Sequence, residues 1–160
     1  MRWISLLARL GLAAVFLTAG ALKVPDLDAS GRAVVAYDLM PPDVAMAVGA
    51  IQPFIEIALG LLLLLGLATR LAAWISAALL VIFISGIVSA WARGLNIDCG
   101  CFSKGGHLPE GQTPDYLPEI LRDVAFLAMA IFLIIFPASR FSLDGRLLAT
   151  NGSEGDADDE

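Results

Sequence analysis

Four long apolar runs decide what this chain can fold into. They cover residues 4–22, 44–67, 71–91 and 120–136. Each approaches the roughly 20 residues that an α-helix needs to cross the hydrocarbon core of a bilayer, about 30 Å thick. In lipid, every backbone polar group must be satisfied within the spanning structure, which leaves only helices and closed barrels. Barrel strands alternate apolar and polar positions. These runs are continuous, so a barrel is excluded, and the expectation is an all-α membrane protein, a four-transmembrane-helix bundle. The chain is 58% hydrophobic and 16% charged, where a soluble domain is about 45–50% apolar and about 25% charged. Residues 1–140 therefore read as one membrane domain. Residues 141–160 read as an acidic tail, in which Glu154, Asp156, Asp158, Asp159 and Glu160 stand without a base near them, the composition of solvated, disordered chain. No basic patch points to nucleic acid.

The first run resembles a signal peptide, with Arg2, an apolar middle and the small residues Thr18-Ala19-Gly20-Ala21. The three spans that follow favour a retained helix, with Arg9 expected to snorkel to the headgroups. The second run contains Pro53 and Glu56. Only Thr69 and Arg70 part it clearly from the third, which predicts a tight antiparallel hairpin. Gly60, Gly66 and Gly86 suit close helix approach. In the loop 23–43, Ser30 is the expected cap of a short amphipathic helix carrying Val34, Val35 and Tyr37, which Pro41-Pro42 ends. Trp3, Trp74 and Trp91 fall near span ends, as interface anchors do.

Four spans put both termini on one side and both long loops on the other. Counting Lys and Arg gives no decision, because Arg2, Arg9, Arg70, Arg140 and Arg146 oppose Lys23, Arg32, Arg93, Lys104 and Arg122. Two features break the tie. Two Arg precede the end of the first span and one Lys follows it, and the long loops carry most of the acids outside the tail. The expectation is cytoplasmic termini and an extracytoplasmic loop 93–117 in a bacterial plasma membrane.

That loop holds Cys99 and Cys101, the only cysteines of the chain, and His107, its only histidine. A thiol attacks a disulfide as thiolate, and a second thiol must resolve the mixed disulfide. Gly100 lets the backbone turn so that both sulfurs come within reach. Asp98 opposes thiolate formation by like charge, and Lys104 favours it. Three readings stay open: a redox-active exchange pair, a structural disulfide, or a metal site with His107. The last has three ligands where a structural zinc site has four. Outside the membrane, a disulfide would persist.

Glu56 lies deep in the second span, where an ionisable group is costly and marks a functional site by default. Gln52, four residues earlier on the same face, is one expected partner, and Arg122 another. The competing reading is a structural glutamate that locks helix packing. Arg122 and Asp123 open the fourth span just after the cysteine loop and are expected in the interface.

These residues give the chain a family likeness. It resembles the DoxX-like membrane proteins, and among them the methylamine-utilisation MauE branch, up to about Arg140. The likeness rests on GALKV after the first span, AYDLMPP before the second and PFIEIALGLLLLLG within it. It rests also on NIDCGCF in the loop and EILRDVAFL opening the fourth span. It implies a four-helix redox-associated membrane protein with Cys99 and Cys101 as the redox pair, and Glu56 and Arg122 as patterned polar positions and candidates for cofactor binding. It further implies a thioredoxin-like extracytoplasmic partner and a quinone as acceptor. The family commonly continues CGCF with Gly, where this chain has Ser103. The leading reading is disulfide exchange at the outer face, by an oxidoreductase or an accessory subunit of one. Its rival is a non-catalytic anchor or assembly subunit of a larger respiratory or secretion complex, with a fixed disulfide.

Overall fold

The computed structural model describes residues 2–98, 106–107 and 114–136. Five helices follow one another: α1 (Arg2–Lys23), α2 (Leu27–Ala36), α3 (Pro42–Leu65), α4 (Thr69–Ala92) and α5 (Tyr116–Ile135). Between α4 and α5, β1 (Ile97–Asp98) and β2 (Gly106–His107) pair as a short antiparallel hairpin, with Ile97 opposite His107 and Asp98 opposite Gly106. The four apolar runs fall in α1, α3, α4 and α5. The hairpin is an addition that apolar patterning does not announce.

The boundaries follow local chemistry. Pro42 opens α3, where its fixed φ suits the first turn and its missing N–H costs nothing. Gly66 closes α3 at φ 67°, and its N–H returns to the Leu62 and Leu63 carbonyls. Only glycine adopts that left-handed conformation freely. The cap of α2 is Asp26, whose Oδ1 accepts from the Ala29 N–H at 2.9 Å. Ser30, the expected cap, is buried inside the helix instead. Asp26 lies one turn earlier, and the cap belongs to whichever acceptor stands where the backbone first turns helical.

The helices α1, α3, α4 and α5 close a ring in that order, with α1 packed most extensively on α3 and α4 on α5. Successive members run antiparallel, so α1 begins and α5 ends at the same end. The core between them is Leu12, Ala13, Phe16, Leu59, Leu63, Ala72, Ala73, Ala77, Leu80, Ala130 and Leu133. The contact of α1 with α3 is close because glycines face it. A Cβ at Gly20 would stand 2.8 Å from the Pro53 carbonyl oxygen, and one at Gly60 2.6 Å from the Leu17 side chain. The short helix α2 lies against α3 at a similar approach, where a Cβ at Gly49 would meet the Ser30 carbonyl at 2.5 Å and the Gly31 Cα at 2.6 Å.

Around the ring, Leu7, Leu61, Leu71, Trp74, Ile82 and Ile131 point outward and are exposed, the inverse of a water-soluble surface. Among the described residues three helices, α1, α3 and α4, are long and apolar enough to cross a membrane. The fourth ring member, α5, carries Glu119, Arg122 and Asp123 in its first half. Arg9 departs from expectation. It is 2% exposed and turned into the bundle with Ser5 one helical turn away, not out toward headgroups.

Candidate functional site

A buried polar cluster lies where four helices meet. On α1 the buried side chains recur every three or four residues, through Ser5, Arg9, Leu12, Phe16, Ala19 and Lys23. Lys23, the last residue of the helix, thus closes the inward stripe and is 7% exposed. Its Nζ lies 2.7 Å from Glu56 Oε1. Glu56 is 1% exposed, and the same oxygen accepts from Gln52 Nε2 at 2.9 Å. Gln52 precedes Glu56 by one helical turn, so both side chains share a face of α3. From α4, the Phe83 ring lies 5.9 Å from Lys23 Nζ, within the range of a cation–π contact.

The helix α5 adds the other charges. Arg122 Nε donates to Asp123 Oδ1 at 3.1 Å, with Arg122 about a third exposed and Asp123 buried. Lys23 is near enough for its charge to act on the Asp123 carboxyl. The cluster therefore alternates in sign: Glu56, Lys23, Asp123, Arg122. Two acids and two bases cancel, which is what makes their burial tolerable. A charge withdrawn from water costs several kcal/mol, and attraction in a low dielectric offsets that only when partners are close. One acceptor stays open. Glu56 Oε2 is buried and has no hydrogen-bond partner among the described residues.

The end of the bundle above this cluster is tied down through α5 as well. The Tyr116 hydroxyl, at the start of α5, donates to the Leu95 carbonyl and accepts from the Ile97 N–H at 3.3 Å. Tyr116 packs with Ile97, Ile87, Ala90 and Ala36 in a second small core. Arg93, just past α4, donates to the Tyr37 and Asp38 carbonyls behind α2. These contacts hold β1 at the end of the ring where α1 and α4 finish and where α3 and α5 begin.

Of the residues singled out from sequence, Glu56 is buried as its depth implied, and Gln52 is its partner. Arg122 is not paired with Glu56. It pairs with Asp123, and Lys23 takes the place expected of it. The geometry explains this, since Lys23 ends a helix packed against α3, whereas Arg122 lies on α5, across the ring. Cys99 and Cys101 lie outside the described residues, as does the tail 141–160. Asp98, the residue before Cys99, pairs with Gly106 in the hairpin. Sequence reading missed Lys23 by counting it as a loop charge. The signal was there, because Lys23 follows Phe16 by seven residues and Gly20 by three, on the packed face of α1. Asp123 is buried within the bundle, seven residues after buried Tyr116 on the same stripe of α5.

No curated protein and no solved structure matches the chain. A family does. The profile described as methylamine utilisation protein MauE matches residues 1–136. With three helices fit to cross a bilayer and an outward apolar surface, this chain is a multi-pass membrane protein that belongs to the MauE family.

Proposed function

We propose that this MauE-family protein exchanges disulfides at the outer face of a bacterial plasma membrane through Cys99 and Cys101. In this reading α5 is a fourth span, both termini are cytoplasmic, and the hairpin faces the extracytoplasmic side. A thioredoxin-like partner brings a dithiol, and one partner thiolate attacks the Cys99–Cys101 disulfide. The mixed disulfide resolves to an oxidised partner and a reduced Cys99/Cys101 pair. A quinone in the membrane then takes two electrons and two protons from the pair, becomes a quinol and restores the disulfide. Glu56 and Arg122 are the candidate groups on the acceptor's side.

The observation that supports this reading most is the shared end of the bundle. The strand that leads into Cys99 is bonded to Tyr116, and the helix that Tyr116 opens carries Arg122 and Asp123 into the Lys23–Glu56 cluster. Buried charges in a membrane domain are retained where function uses them, and here they lie toward the end of the bundle at which Tyr116 holds β1. The test is trapping in cells. A Cys101→Ala variant should accumulate a reducible adduct through Cys99 with a soluble protein, absent in Cys99→Ala, Cys101→Ala. Full biological activity of the double variant would reject exchange and leave an anchoring or assembly role.

A further inference from the structure

We propose that Glu56 is the proton-carrying group that couples the thiol pair to its acceptor. This rests on the exchange reading above. When the dithiol closes, two S–H bonds break and one S–S bond forms, and two electrons pass to the quinone. The two protons must also reach it. Glu56 takes one of them on Oε2 as a carboxylate becoming a carboxylic acid and gives it up to the reduced acceptor; the other passes to water, from which the acceptor takes its second proton, and it leaves as quinol.

Geometry carries the assignment. Glu56 Oε1 is occupied by Lys23 Nζ and Gln52 Nε2, whereas Oε2 is buried with no hydrogen-bond partner among the described residues. An ionised oxygen in that position lacks the donors that make its burial affordable, so it is the atom of the cluster most in need of a proton, a water or a donor. The neighbours permit the change of charge. Lys23 Nζ at 2.7 Å from Oε1 can loosen its hold when Glu56 becomes neutral. The groups facing Glu56 are Lys23 from α1, Gln52 from its own helix, Phe83 from α4, and through Lys23 the Arg122–Asp123 pair of α5. Tyr116 holds Ile97 and Leu95, and Asp123 follows Tyr116 by seven residues, or about 10 Å along the helix.

Time-resolved infrared spectroscopy tests this on the full-length protein in lipid vesicles. Pre-reduced protein is mixed with a short-chain benzoquinone, and free thiols and quinol are counted in parallel. A carboxylic acid C=O band should rise as thiols are lost and decay as quinol appears. It should shift when the glutamates of the wild-type protein are labelled with carbon-13, stay put when the aspartates are, move in Glu56→Asp and vanish in Glu56→Gln. Thiol loss and quinol formation without that band, or with a band that persists in Glu56→Gln, would overturn the proton role and leave the exchange reading standing. If the thiols are never lost to the quinone, the quinone-linked reading itself falls and takes this one with it.

Discussion

Lys23 carries more of this site than its place in the chain suggests. It is the counter-ion of buried Glu56, reached from another helix at 2.7 Å. Removing one member of a buried pair leaves an uncompensated charge, at a typical cost of about 3–5 kcal/mol, whereas replacing both by apolar groups is often neutral. Lys23→Met should therefore lower the denaturation midpoint of the detergent-solubilised protein strongly, and Lys23→Met with Glu56→Leu should recover most of it. A Lys23→Met variant that melts with the wild type would show that the pair contributes little to the fold. At this scale the Gln52–Glu56 contact was legible because both residues share one helix, and spacing alone sets it. The Lys23–Glu56 contact spans 33 positions and depends on how α1 lies against α3.

Among the helices, α2 is the shortest. It has 10 residues, too few to be stable alone in water, and it lies on α3 through Gly31 and Gly49. A Cβ at Gly49 would meet backbone atoms of Ser30 and Gly31, which cannot step aside as a side chain tip can. Gly49→Ala should push α2 off α3 at a cost of about 1–3 kcal/mol, seen as faster amide exchange over residues 27–36. Gly86→Ala is the control, since its Cβ would meet only the Tyr37 ring at 3.5 Å, an ordinary contact. Unchanged exchange in Gly49→Ala would mean that α2 is anchored elsewhere. The existence of α2 was readable from its pattern. Its cap was not, because Asp26 and Ser30 are both good caps and only the backbone path selects between them.

At the scale of the molecule, the ring of α1, α3, α4 and α5 sets which loops share an end, and the proposed orientation makes that end extracytoplasmic. With the protein reduced in intact cells, a membrane-impermeant thiol reagent should label Cys99 or Cys101 without permeabilisation. Labelling only after permeabilisation would reverse the topology.

The apolar runs alone determined that the chain is helical and membrane-bound, because lipid offers the backbone no hydrogen bonds and only a helix supplies them from within one segment. Which charges meet inside the bundle was decided only by tertiary structure. Glu56, Lys23 and Asp123 lie far apart in sequence, and their encounter depends on helix rotation and on the close approach that glycines at 20 and 60 permit. Neutralising a buried charge needs a partner within a few ångströms, and that condition is met in space, not along the chain.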